Sequence, residues 1–468
     1  MSPQAQLVMI LWVPTIFWLF IRFSREKEKA VIIGFIVAWL FLPQKAGFSI
    51  PGLPDYDRIS ATCYGIFVAT FIFDFQRFRS FKFSWLDVPI LILCIVPFFS
   101  SMANDLGPYD GFSATLNQTV QYGFPYFLGR IYLTNFSSLK KLVIAIFLGG
   151  LVYVPLCLYE VKMSPQLHRM VYGYEGTRSF LQSIRLGGYR PTVFMRHGLS
   201  VAMWMMAATL IGIWLWQSGM LKKLWNIPMT WLIGGMMITF ILLKSTGAYV
   251  YLLYGLVVLF TAKWFRNAIP LLFLIFSISF YLFLGATGNF AGQNADQVIS
   301  FVSQIVPPER VESLAFRFDN EEALVQKAMK QPILGWGGWG RNRVFDYNYA
   351  DELVDVSITD SLWIMSYGVN GAVGLFSIFA VSLLPPLVFL LRYPARIWFH
   401  PQVAPAAIVA IILPLYMLDC TINNQFNPVF MVMSGALSGF VLTKANPITR
   451  RVISTQTRRN LTDNTNLI

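Results

Sequence analysis

The sequence predicts an all-α protein, a polytopic integral membrane bundle of about 12–13 transmembrane helices with a long extracytoplasmic loop that contains an amphipathic helix. Three observations predict it. Hydrophobic residues make up 56% of the 468 and charged residues only 13%, at a mean hydropathy of +0.57; a soluble domain carries about twice that charge. Aromatic residues reach 16%, as expected where rings line both faces of a bilayer. The apolar residues fall in long runs, and the basic residues between them alternate from loop to loop.

The runs lie at Gln6–Phe20, Ala30–Pro43, Ala61–Phe75, Leu86–Ser101, Gln118–Leu133, Leu142–Tyr159 and Leu199–Trp216, then at Thr230–Leu243, Ala248–Ala262, Ile269–Ala286, Leu362–Leu391, Val403–Asp419 and Pro428–Leu442. Several are shorter than the ~20 residues a crossing helix needs and borrow from their flanks. The second run is the weakest, so twelve crossings are the alternative to thirteen. The first run is followed by Arg22 and has no small-residue cleavage site, which reads as an anchor rather than a signal peptide. One transmembrane domain over 1–443, with outer loops at 160–198 and 287–361, is expected to precede a disordered basic cytoplasmic tail at 444–468.

Orientation follows from the cations. Odd-numbered loops hold Arg22, Arg25, Lys27 and Lys29, then Arg77, Arg79 and Lys82, then the pairs Lys140–Lys141, Lys222–Lys223, Lys263 with Arg266, and Arg392 with Arg396. The tail adds Lys444, Arg450, Arg451, Arg458 and Arg459, whereas the short even loops hold only Lys45, Arg58 and Lys244. The positive-inside bias puts the odd loops and the C-terminus in the cytoplasm and the N-terminus outside. The net charge of +13 then reflects orientation and anionic headgroups, with no call for nucleic acid.

The two long even loops carry Lys162, Arg169, Arg178, Arg185, Arg190, Arg196, Arg310, Arg317, Lys327, Lys330, Arg341 and Arg343. Two readings of these outer cations stay open. Long loops cross regardless of charge. Alternatively, a few of the twelve form an outer-face site for an anion such as a diphosphate, a task the planar guanidinium suits.

Other chemistries lack their residues. Cys63, Cys94, Cys157 and Cys420 lie in or beside apolar runs, with no CxxC or Cys/His spacing; the histidines are His168, His197 and His400. Neither a zinc site nor a disulfide framework is supported. No HExxH, GxSxG, Walker or Rossmann pattern occurs, so no cofactor is expected, and energy must come from the substrate or an ion gradient.

The last long loop is the most informative. Pro307-Pro308 precede a helical stretch Val311–Lys330, with Leu314, Phe318, Val325 and Met329 near helical spacing and Arg317 and Glu321 at i, i+4. It reads as an amphipathic helix lying on the outer surface or capping a cavity. Pro332-Ile333-Leu334-Gly335-Trp336-Gly337-Gly338-Trp339-Gly340-Arg341 follows. Its glycines allow close approach of backbone to a ligand, and Trp336 and Trp339 either stack on a sugar ring or mark the membrane interface. Asp360 stands at the start of the eleventh helix, where it can serve as an N-cap. In that helix Gly368, Gly371 and Gly374 permit close packing.

The stretch Arg317–Gly374 resembles the hallmark region of the O-antigen ligase and polymerase family, which runs as an Arg, a helix, a P-x-L-G-x-G turn, a spacer, a His-Asn pair and a Gly-rich helix start. Arg317, Pro332-Ile333-Leu334-Gly335-Trp336-Gly337 and the three glycines carry the match. Gly187-Gly188-Tyr189-Arg190-Pro191 resembles the family's outer-loop Arg before a helix, and Leu243-Lys244-Ser245-Thr246-Gly247-Ala248 its Ser-Arg-Gly turn. The chain departs from the family at two points: Asp360-Ser361 stand where His-Asn is common, and Thr246, with Lys244 nearby, where Arg is common. The N-terminal half carries little of the resemblance.

The resemblance implies a glycosyltransferase that works at the outer face of the bacterial inner membrane in surface or exopolysaccharide assembly. A glycan or lipid acceptor hydroxyl attacks the anomeric carbon of a glycan held on a polyprenyl diphosphate, which leaves. Arg190 and Arg317 would stabilise the leaving diphosphate, with Lys244 and Arg341 as further cations. Asp360 would orient or deprotonate the acceptor, and Gly335, Trp336, Gly337 and Trp339 would line the substrate. No metal or other cofactor is implied. Ligase and polymerase remain open, as does a transporter or flippase using ionisable groups such as Arg130, Glu160 or Asp419, and a non-catalytic export scaffold.

Overall fold

The computed structural model describes residues 2–49, 54–176, 180–185, 187–288, 299–300, 303–304, 308–347, 352–357 and 361–443, with backbone alone at 308–310, 312–314, 316 and 317. All thirteen apolar runs fall on helices. The helices described are α1 (Pro3–Arg22), α2 (Lys27–Phe41), α3 (Arg58–Phe73), α4 (Phe75–Ser80), α5 (Val88–Ala103), α6 (Gly107–Gln118), α7 (Phe124–Tyr132), α8 (Phe136–Met163) and α9 (Leu167–Tyr172). Then come α10 (Gly198–Gln217), α11 (Met229–Leu242), α12 (Thr246–Phe260), α13 (Ile269–Ala286), α14 (Pro308–Ala328), α15 (Leu362–Arg392), α16 (Ala404–Cys420) and α17 (Pro428–Leu442). A π-helical turn, Thr119–Gly123, joins α6 to α7. Among the described residues strand is confined to three two-residue or three-residue hairpins: β1 (Ile184–Arg185) with β2 (Gly188–Tyr189), β3 (Lys223–Leu224) with β4 (Ile227–Pro228), and β5 (Phe345–Tyr347) with β6 (Leu353–Asp355).

The chain is a membrane protein: among the described residues, seven helices are long and apolar enough to cross a bilayer, and α3, α11, α16 and α17 are shorter apolar helices. α10 and α16 are apolar all round and buried along nearly their whole length, the behaviour of helices at the centre of a bundle. α1 and α13 keep Leu7, Ile10, Leu11, Trp18, Phe273, Phe276 and Phe283 exposed, as helices on a lipid-facing rim do. α7 and α17 meet backbone to backbone, since a Cβ at Gly435 would collide with Tyr126 O and one at Gly129 with Val432 O. Small residues make that approach attainable and helix association in lipid depends on it.

The bundle has two distinct ends, and the odd and even loops sort to them. At one end Lys141 Nζ bridges Glu26 (2.5 Å) and Glu28 (2.7 Å), and Lys27 faces Asp74 at 3.8 Å. Lys263 Nζ donates to Gln217 and lies over the Phe399 ring, Arg392 donates to Val441 O, and Thr134 packs on Gly439. At the other end Ser2 Oγ donates to Tyr172 O, Gln44 Nε2 to Phe194 O (2.7 Å), and Tyr56 OH to Met9 O (3.0 Å). The basic tail at 444–468 lies outside the described residues.

α15 departs from the expected continuous helix. Its backbone breaks at Gly371 (φ 64°, ψ −164°), so this glycine serves a break as well as the close approach of another backbone, that of Ile333. The break is closed by the turn that follows α14: Trp336 N donates to Gly368 O (2.8 Å), Gly337 N to Val369 O (2.9 Å), Ala372 N to Pro332 O (2.8 Å) and Val373 N to Ile333 O (3.3 Å). Backbone groups freed by a break at membrane depth need such partners, because lipid offers none.

Candidate functional site

The first group of candidate residues forms a corner at the end of the bundle that carries the even loops. Arg190 follows the β1–β2 hairpin and is 6% exposed. Its Nη2 donates to Lys244 O at 3.0 Å. Its Cγ and Cδ lie across Gly198, the first residue of α10, where a Cβ would collide with them. Lys244 ends α11 in the left-handed region (φ 54°) and is half-buried. Its Nζ sits directly over Gly188 of β2, in the space a Cβ there would take. Two cations 54 residues apart in sequence therefore share one corner. Fixed neighbouring cations of this kind suit an anion with several oxygens.

Behind the corner stands Glu160, near the end of α8 and fully buried. Its Oε2 accepts from Thr192 N (2.8 Å) and Val193 N (2.7 Å), and its Oε1 from Leu167 N (2.9 Å). Val193 has φ 50°, a conformation that a β-branched side chain resists. The carboxylate thus holds the segment after Arg190 in a shape it would not adopt alone. The sequence offers Glu160 as a candidate transport group; a lone acid closing a long apolar helix is the signal for its anchoring role.

His168 braces the same region. Its Nε2 accepts from Gln44 N (3.0 Å), and its Nδ1 faces Tyr174 O at 2.8 Å, which fixes the neutral tautomer with the proton on Nδ1. Burial, aided by the charges of Arg58 and Lys45, holds the imidazole below its ordinary range despite the Tyr174 bond. A depressed folded pKa means that the ring's contribution is intact above its ordinary value of about 6.5 and is lost as pH falls through the folded value. Thermal unfolding in detergent from about pH 8 to about pH 5 should show falling stability on the acid side. His168→Gln should flatten that slope.

The second group surrounds the break in α15. Gly335 (φ 70°) and Gly337 (φ 74°) are buried, and a Cβ at Gly335 would lie 2.5 Å from Gly371 N. Asn104 Nδ2 donates to Gly335 O and Ser100 Oγ to Val369 O, both at 2.8 Å. Arg341 Nη1 donates to Asn104 O at 2.5 Å. Trp336 Nε1 donates to Lys327 O (2.8 Å), and Lys327 Nζ lies 4.3 Å from its ring centroid, so this indole closes the last turn of α14. Trp339 is 81% exposed and its Nε1 donates to Asp110 Oδ2 at 3.2 Å. Ser100 and Asn104 were missed in the sequence; two polar residues one turn apart near the end of an apolar helix were the available signal.

α14 carries Arg317, whose side chain lies outside the described residues. The buried stripe of α14 is Leu324, Val325 and Ala328, whereas Met329, expected on that face, is 45% exposed. One turn beyond Arg317, Glu321 accepts from Ser361 Oγ (3.0 Å) and Tyr281 OH (3.2 Å). Asp360 lies outside the described residues. The N-cap of α15 is Ser361 rather than Asp360, and its hydroxyl turns to Glu321 instead of capping the helix. Among the described residues no group of His, Cys, Asp and Glu could hold a metal ion. No protein-family model and no curated protein matches the chain.

Proposed function

We propose that the chain is a membrane glycosyltransferase that transfers or polymerises a glycan carried on a polyprenyl diphosphate, at the outer face of the bacterial inner membrane. The observation that carries this reading is the corner of Arg190 and Lys244. Both residues were singled out from separate loops by the resemblance to O-antigen ligases and polymerases, and they meet at one end of the bundle. An acceptor hydroxyl attacks the anomeric carbon, the C–O bond to phosphate breaks, and the hydroxyl proton passes to a base or to solvent. Charge accumulates on the leaving diphosphate, where fixed cations are worth most. Arg317 and Asp360 would act from the α14–α15 junction, on phosphate and acceptor respectively.

The transport alternative draws less support. Arg130 Nε pairs with buried Asp87 at 3.2 Å, Glu160 holds three backbone N–H groups, and Asp419 Oδ1 accepts from Asn423 at 2.8 Å. Groups engaged in this way hold structure together rather than passing protons.

Membranes containing the full chain, loaded with extracted polyprenyl-diphosphate glycan, test the reading. Arg190→Ala should lower donor consumption by about 100-fold or more at near-normal protein levels. Arg190→Lys should rescue poorly, because the fork is lost. Wild-type turnover by Arg190→Ala would overturn the assignment.

The orientation has its own test. Tyr347, 68% exposed on β5, should react as Tyr347→Cys with an impermeant thiol reagent on intact spheroplasts. Lys223→Cys, on β3, should react only after the cells are opened. The four native cysteines are buried, so background labelling is low; the reverse pattern would invert the topology.

A further inference from the structure

We infer that the loop joining α16 to α17, residues 421–427, is a sugar-binding wall of the same site, with Asn424 and Gln425 contacting the glycan. The inference rests on the glycosyltransferase reading and adds where the sugar is held.

The run Thr421-Ile422-Asn423-Asn424-Gln425-Phe426-Asn427 places three consecutive carboxamides between two otherwise apolar helices. Most of the loop is framework. Asn423 ties back to Asp419 through both its backbone N and its Nδ2, each at 2.8 Å. Gln425 O accepts from Tyr416 OH (2.9 Å), and the same hydroxyl accepts from Asn427 N (3.1 Å). Asn427 Oδ1 caps α17 at Val429 N (2.9 Å), and Phe426 packs on Tyr122 with centroids 4.3 Å apart. The loop is therefore tied down from below, and none of these contacts uses the side chains of Asn424 and Gln425.

Their neighbours place them. Gln425 Oε1 accepts from Ser200 Oγ at 2.9 Å. Ser200 is on the first turn of α10, two residues from the Gly198 on which Arg190 lies. Asn424 Nδ2 points at Met365 Sδ, 3.0 Å away, on the first turn of α15, one turn after the Ser361 that bonds Glu321 of α14. The two carboxamides thus bridge the corner of Arg190 and the first turn of α15, beside the Ser361–Glu321 contact.

The chemistry fits a sugar. A carboxamide offers two donors and an acceptor in one plane, which matches adjacent hydroxyls, and it adds no charge beside a diphosphate. A thioether is a weak acceptor; a sugar hydroxyl would be the better partner for Asn424, which is exposed. Asp or Lys in these places would instead pair with, or compete for, the charges at the corner.

Binding to the purified full chain in detergent tests this with two probes. One is polyprenyl diphosphate. The other is the oligosaccharide released by mild acid from the host's own polyprenyl-diphosphate glycan. Asn424→Ala and Gln425→Ala should each weaken oligosaccharide binding by about tenfold or more and leave polyprenyl diphosphate binding within about twofold. That second probe also reports that the variants are folded. Asn424→Gln should recover part of the loss, and Arg190→Ala should show the opposite selectivity. Oligosaccharide binding that is absent in wild type, or equal in the variants, overturns the sugar wall while intact diphosphate binding leaves the enzyme reading standing. Wild-type protein that binds no polyprenyl diphosphate overturns both.

Discussion

Gly371→Ala should leave little folded protein in the membrane. At φ 64° and ψ −164° the residue occupies backbone space open essentially to glycine alone. An added Cβ would run into the carbonyl of Ile333. Relief requires the turn at 332–337 to lift off α15, which breaks the four backbone bonds that close the helix break. Strain of about 1–3 kcal/mol and four lost bonds of about 1 kcal/mol each place the total at about 5–7 kcal/mol, a large share of a typical domain's stability. Membrane yield and thermal unfolding in detergent would measure it. Gly338→Ala in the same loop is the control, since a Cβ there meets nothing within 4 Å. A Gly371→Ala protein as stable as that control would show that the break is not a fixed feature.

Glu160→Ala should be nearly as damaging, by a different route. It removes the acceptor of three buried or half-buried backbone N–H groups at 167, 192 and 193. Each stranded donor costs about 1–3 kcal/mol, so the loss is about 3–9 kcal/mol before any relaxation. Val193 would relax from its positive φ, and Arg190, three residues upstream, would leave the corner it shares with Lys244. Donor consumption should therefore fall with Arg190 itself unaltered. Glu160→Gln keeps one acceptor oxygen and should lie between wild type and Glu160→Ala in both stability and turnover. Equal stability of wild type and Glu160→Ala would remove this carboxylate from the scaffold.

What could be read from the sequence divides by range. Every apolar run became helix because burial in lipid is a property of the run itself, independent of its neighbours. The pairing of Arg190 with Lys244 was approached only through a resemblance in separate loops; nothing local to either residue encodes the other. The turn at 332–337 was read as a ligand cradle because glycines permit either a ligand or another backbone to come close. Which backbone arrives, at 368–373, depends on a break that Gly371 alone does not announce. Asn424 and Gln425 went unremarked because polar residues in a short connection are ordinary; only their contacts with α10 and α15 set them apart.

The clamp at the α15 break also sets a clock. Asn104 reaches Gly335 across 231 residues and Ser100 reaches Val369 across 269. At a synthesis rate of about 5–20 residues per second, Asn104 waits roughly 12–46 s for its partner to be made. During that interval Asn104 Nδ2 has Ser100 O of its own helix to bond, while Gly335 and every helix from α6 to α13 are still to be made. A chain halted before residue 332 would hold most of its spans and yet lack the latch that joins its first third to its last.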